Sequence, residues 1–186
     1  MHRGSLVWEF GHGGGGVDSV RKEVAVIECS IPQGRDLRLQ YLVCDFNGTL
    51  ATDGKLIPQV GSALRALKEK LRVVVVTADT YGSAQRETKK LGVTVEVLEG
   101  VTKEDQGNAE AKRKLIAELG ADRVAAIGNG HNDRLMLSAA ALSVAVLGVE
   151  GGAMTACLAA DVVCHNIQDA LNLLLFPNRL RATLRG

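Results

Sequence analysis

From Glu23 onward the chain switches regularly between strand-like and helix-like patterns of apolar residues. Residues 23–30 (EVAVIECS) and 36–41 (DLRLQY) alternate with period two around Pro32-Gln33-Gly34, which predicts a β-hairpin. Tyr41-Leu42-Val43-Cys44 is a continuous apolar strand ending in Asp45, and Val73 to Val76 is another ending in Thr77. Between them, Val60, Leu64, Leu67 and Leu71 recur at helical spacing, which predicts an amphipathic helix over 59–71. A helix over 82–91, a strand at 93–98, a helix at 106–119, a strand at 124–127 and a helix from Asp133 continue the alternation. Later strands fall at 142–147 and 161–164, with helices between and after them.

Strands apolar on both faces, alternating with helices, predict a parallel sheet covered on both sides. The expected fold class is therefore α/β: a three-layer, Rossmann-like parallel sheet with helices on both faces, preceded by the hairpin. Asp53-Gly54, between Leu50 and Leu56, is a type I′ turn signal and predicts a short flap after the first core strand. Residues 50–72 and 80–110 leave room for no large cap domain. The expected organisation is one domain over 23–186 behind a Gly-rich segment at 1–22. Gly11-His12-Gly13-Gly14-Gly15-Gly16 satisfies GxGxxG, but no strand precedes it and no amphipathic helix follows it. It reads as a flexible tail or an expression remnant.

Composition adds exclusions. The formal net charge is +1, which argues against nucleic acid or an anionic membrane as the main partner. No apolar run approaches the roughly 20 residues of a membrane span. Cys29, Cys44, Cys157 and Cys164 have neither CxxC nor zinc-ligand spacing, which points to a reducing, cytoplasmic location without disulfides.

Ligands of such sheets bind at the carboxyl ends of the strands. After the first core strand comes Asp45-Phe46-Asn47-Gly48-Thr49-Leu50, a carboxylate at the tip of a buried strand beside a glycine that lets the backbone approach a ligand. Alone, Asp45 could be a turn cap. Thr77-Ala78-Asp79-Thr80 offers a hydroxyl and backbone N–H groups for phosphate oxygens, or simply an N-cap. Ala109 to Lys114 holds lysines that could reach the strand ends or merely face water. Gly128-Asn129-Gly130-His131-Asn132-Asp133 supplies hard oxygen ligands that suit Mg²⁺. His131 reads as a surface residue.

Together these motifs resemble the haloacid dehalogenase-like phosphotransferase superfamily, in its capless form, and within it the phosphorylation domain of P-type ATPases and the soluble proteins related to it. Asp45-Phe46-Asn47-Gly48-Thr49 resembles the family's Asp-x-Asp-Gly-Thr, and Thr77-Ala78-Asp79 its Thr-Gly-Asp. Lys112, with Lys114 as the second choice, resembles the helical lysine. Gly128 to Asp133 resembles Gly-Asp-Gly-x-Asn-Asp. The resemblance implies a Mg²⁺-dependent phosphatase or hydrolase that works through an aspartyl-phosphate on Asp45. It implies Thr77, Ala78, Lys112 and Gly48 around the phosphate, and Asp45, Asn47, Asn129 and Asp133 around the metal. Asn47 stands where the family's phosphatases carry an acid/base Asp, and Asn129 where they carry a metal-binding Asp; both imply restricted turnover. The expected partner is a small phosphorylated molecule or a phosphoprotein, at an open site or one closed by a second copy in a homo-oligomer. The competing reading is a binding or regulatory module that keeps the fold and has lost turnover. A receiver domain, which needs an acidic pair after the first strand, does not match.

Overall fold

The most apolar runs of the chain become the middle of one parallel sheet. The computed structural model describes residues 26–78, 82–98 and 105–186. The Gly-rich segment and Asp79 lie outside them. In chain order the elements are β1 (Ile27–Ser30), β2 (Asp36–Leu39), β3 (Tyr41–Asp45), β4 (Ala51–Thr52), β5 (Lys55–Leu56), α1 (Val60–Lys68), β6 (Arg72–Thr77), α2 (Ser83–Thr88) and β7 (Thr94–Val97). There follow α3 (Asp105–Leu119), β8 (Val124–Gly128), α4 (Arg134–Ala139), β9 (Leu142–Val146), α5 (Met154–Ala159), β10 (Val162–Cys164), α6 (Ile167–Leu175) and α7 (Pro177–Leu184).

Six strands form the main sheet in the order β10-β9-β8-β3-β6-β7, all parallel. From β3 the chain builds outward through β6 and β7, then returns to add β8, β9 and β10 on the other side. β3 is thus the point where strand order reverses, the place where such sheets open a crevice. Its alternate side chains feed two cores, as strand geometry requires. Leu42 and Cys44 join the core formed with α1, α6 and the β1–β2 hairpin. Val43 joins Ile116, Met136, Leu137 and Ala156 from α3, α4 and α5. Burial, and then Asp45, push the Cys44 thiol far up, so it acts as a small apolar residue.

The hairpin is outside the main sheet. β1 and β2 pair antiparallel, and Arg35 in the turn bonds Asp161 at 2.7 Å. The flap forms as expected: β4 and β5 pair antiparallel, with Asp53 at φ 51° and Gly54 at φ 71°. Two carboxylates hold it in place. Glu87 of α2 accepts from Leu56 N–H at 3.2 Å, and Glu150 accepts from Asp53 N–H at 3.4 Å. Among the described residues no large cap is inserted on either side of the flap, and no helix is long and apolar enough to cross a membrane.

Candidate active site

Register alone gathers the expected residues. Asp45 pairs with Val76, so Thr77 lies one residue further along the same edge. Cys44 pairs with Ile127, so Gly128 is level with Asp45 on the opposite neighbour. Three adjacent strands therefore deliver Asp45, Thr77 and the Gly128–Asp133 loop to one crevice.

The fourth component comes from α3. Ala109, Lys112 and Ile116 are its buried positions, spaced along one helical face. Lys114, two residues on, is about 200° around the helix and on the far side; its side chain is 76% exposed and lies 3.8 Å from Glu118. Lys112 is the lysine of the site. Its Nζ donates at 2.6 Å to Asp45 Oδ1 and at 2.6 Å to Asp133 Oδ1, and the side chain is 1% exposed.

Two buried carboxylates share this one cation, so the cluster carries a net charge of about −1 with both ionised. The imbalance shows in Asp45. Burial, then the charge of Asp133, raise its carboxyl to about 7, against the opposing pull of Lys112 and the Phe46 N–H. Burial works against the charge on Lys112, but Asp45 and then Asp133 win and hold it well above the usual lysine range.

Asp133, expected as a metal ligand, is fully buried with both oxygens engaged. Oδ1 accepts from Lys112, and Oδ2 accepts from the N–H groups of Asn129 at 2.9 Å and Gly130 at 2.8 Å. It closes the turn 131–133 on itself and contributes charge from behind Lys112. Gly128 is needed for this closure, since a Cβ there would fall 2.6 Å from the Asp133 carboxyl.

Asn129 is a junction. Its Oδ1 accepts from Thr49 Oγ1 at 3.1 Å, and its Nδ2 donates to Gly151 O at 3.1 Å. The flap root and the loop after β9 are thereby tied to the end of β8. Gly48, expected beside the phosphate, donates its N–H to Ala51 O at 2.8 Å. What it supplies is space: at φ 77°, a Cβ would lie 2.6 Å from Asn129 Nδ2. The turn winds around one carbonyl, Phe46 O, which accepts from Thr49, Leu50 and Ala51. Asn47 is exposed at its crest and Ala78 is exposed after β6. Thr77 is buried at 2%. His131 is exposed, as expected, with Nδ1 2.7 Å from Thr155 Oγ1.

Sequence reasoning placed Thr49 in the first motif without a role and missed Gly151. A carbonyl on a distant loop gives no signal of residue type, and the 80-residue separation of Thr49 and Asn129 is bridged only by the fold. Among the described residues, no cluster of three His, Cys, Asp or Glu side chains is placed to hold a metal. A cation here would rely on Asp45, amide and carbonyl oxygens, and the substrate.

The family model described as haloacid dehalogenase-like hydrolase matches residues 16–141. An uncharacterized protein of Methanocaldococcus jannaschii is 43% identical over 90 residues, 46% of this chain and 97% of that protein. A second from the same organism is 44% identical over 39 residues, 21% of this chain and 89% of that one. Among solved structures, the chain is similar to 3-deoxy-D-manno-octulosonate 8-phosphate phosphatase from Moraxella catarrhalis in complex with magnesium ion, phosphate ion and KDO. The TM-score is 0.60 at 18% identity, over 79% of this chain and 94% of that one. The cobalt-bound deoxy-D-mannose-octulosonate 8-phosphate phosphatase from Haemophilus influenzae gives 0.59 at 16% identity, over 74% and 87%. At such identities the solved structures establish the fold.

Proposed function

The chain belongs to the haloacid dehalogenase-like hydrolases, and on that premise we propose that it is a Mg²⁺-dependent phosphatase that transfers a phosphoryl group to Asp45 as an aspartyl-phosphate. The observation that carries the reading is the buried Asp45–Lys112–Asp133 cluster at the sheet's reversal point. A fold holds an excess buried negative charge only against cost, and here one of the two carboxylates stands at the open edge.

Asp45 attacks phosphorus, and Lys112 favours the ionised form of that carboxyl and orients it. Thr77 and the N–H groups of the exposed residues Asn47 and Ala78 surround the phosphoryl oxygens, while Gly48 keeps the approach clear. Burial, and then the Asp133 charge, raise the Asp45 carboxyl; one cation shared by two carboxylates leaves negative charge over, and the donors available are oxygens only, which fits a hard divalent cation. Asp45, the Asn47 carbonyl and the Asn129 side chain would hold it, with the Asp133 charge behind Lys112. When bound it supplies charge neutralisation for the phosphoryl group. The substrate is a small phosphorylated molecule or a phosphoprotein.

Asn47 and Asn129 favour a second reading, a module that binds phosphate and Mg²⁺ without turnover. Beryllofluoride binding in the presence of Mg²⁺, together with acid-quenched mass spectrometry of Asp45 after acetyl phosphate treatment, tests both. The enzyme gives binding and a labelled Asp45 that turns over. Binding without turnover selects the module, and neither binding nor label defeats both.

Asn129→Asp is expected to tighten Mg²⁺ binding, because a carboxylate replaces a neutral amide oxygen. The same change removes the donor to Gly151 O, at about 1 kcal/mol of stability. Calorimetric Mg²⁺ titration and urea denaturation read the two effects separately. Unchanged or weaker affinity would place Asn129 outside the cation shell.

A further inference from the structure

The groups able to release a proton decide which phosphate esters this crevice can cleave. Among the described residues, the titratable side chains joined there are Asp45, Lys112 and Asp133. Asp45 must be ionised to attack. Lys112 is held charged by both carboxylates and is 1% exposed. Asp133 is fully buried, with Lys112 on one oxygen and two backbone N–H groups on the other. The Thr49 hydroxyl already donates to Asn129. His131, the imidazole of the adjoining loop, is bonded through Nδ1 to Thr155 on α5. The exposed side chain two residues beyond the nucleophile is Asn47, an amide without a useful acid or base form.

Resting on the function proposed above, we infer that the substrates are phosphates whose leaving group departs as a stable anion: acyl phosphates, phosphoanhydrides or aryl phosphates rather than sugar or alkyl phosphates. In the first step an Asp45 oxygen bonds to phosphorus. The bond from phosphorus to the leaving oxygen breaks, and that oxygen keeps the electron pair without receiving a proton from the protein. In the second step water bonds to phosphorus, the bond to Asp45 breaks, Asp45 recovers its carboxylate, and the water's proton passes to solvent. Asn47 offers no carboxylate to activate that water, so the second step is slow and phosphoenzyme accumulates with good substrates.

This preference would set the chain apart from the octulosonate 8-phosphate phosphatases whose fold it shares, since their named substrate is a sugar-acid phosphate.

The test is the ratio of kcat/KM for p-nitrophenyl phosphate to that for glycerol phosphate, in the wild type and in Asn47→Asp, with Mg²⁺ present. The wild-type ratio should exceed that of Asn47→Asp by on the order of 10²–10⁴, the usual scale of general acid catalysis. The lifetime of acid-trapped phosphoenzyme should shorten in the variant. Equal ratios in two folded proteins overturn the inference. Should the variant not fold, a leaving-group series on the wild type decides alone: a steep fall in kcat/KM with leaving-group basicity supports the inference, and a flat kcat/KM series overturns it. Failure of the underlying reading looks different, because no member of the series would then label Asp45.

Discussion

Asp45→Asn is expected to abolish phosphoryl transfer and beryllofluoride trapping while making the metal-free protein more stable at alkaline pH. The catalytic loss should be on the order of 10⁴–10⁶, as when a covalent nucleophile is removed. The gain in stability follows from the displaced titration. The folded carboxyl is raised from 3.8 to about 7, so between those values the folded state binds protons that the unfolded state has released. Stability from this group is complete below about pH 4 and is lost as pH rises through about 7. The asparagine removes that loss. Urea denaturation in EDTA at pH 8 should show a gain of roughly 1–3 kcal/mol, less than the full linkage value because Lys112 serves both carboxylates. At pH 5 the difference should shrink. With Mg²⁺ the order should reverse, since only the wild type offers the cation a carboxylate. Activity in the variant, or identical stability profiles against pH, would refute this account of Asp45.

Removing the shared cation should be the most damaging single change. Lys112→Met leaves Asp45 and Asp133 facing one another in the interior without a positive partner. Breaking a buried ion pair from one side costs about 3–5 kcal/mol, and turnover should fall by on the order of 10²–10³ through loss of charge stabilisation. Lowering the pH should recover part of the stability as a carboxylate takes up a proton. Adding Asp133→Asn to the variant should do the same at pH 8 without restoring activity, which separates the structural role of the lysine from its chemical one. Lys114→Ala, on the opposite face of the same helix, should change stability by no more than about 0.5 kcal/mol. Chemical denaturation and p-nitrophenyl phosphate kinetics read all four proteins. A Lys112→Met protein as stable as the wild type would show that the ion-pair cluster does not form.

Much of the fold was legible because buried parallel strands leave a plain signature. Leu42 to Cys44 and Val73 to Val76 have no polar face, and α1 buries Val60, Leu64 and Leu67 at the positions its periodicity marks. The Asp53-Gly54 flap was legible for a stereochemical reason: both residues adopt the positive φ that a type I′ turn demands. The edges were less so. The helix expected over 82–91 ends at Thr88. The helix expected from Asp133 is preceded by a tight turn over 131–133, because the Asp133 carboxylate captures the two N–H groups before it. The choice between Lys112 and Lys114 needed the helix phase, which charged residues on a polar surface do not fix by themselves. The junction role of the Asn129 side chain was hidden because its partners are a hydroxyl and a backbone carbonyl on other loops.

The ion-pair cluster also has a consequence for how the protein is made. Asp45 and Lys112 are separated by 67 residues of chain, and β3 meets β8 only after α3 has been synthesised. On a ribosome, the nascent chain through β7 can already pair β3 with β6 and β6 with β7, leaving one side of β3 open and Asp45 without its counter-ion. Long-range pairings of this kind are slow to form and leave strand edges exposed meanwhile. Completion of the ion-pair cluster is therefore a late event in biogenesis. A nascent chain stalled before α3 emerges should be protease-sensitive, and one stalled after β9 clears the exit tunnel should be resistant.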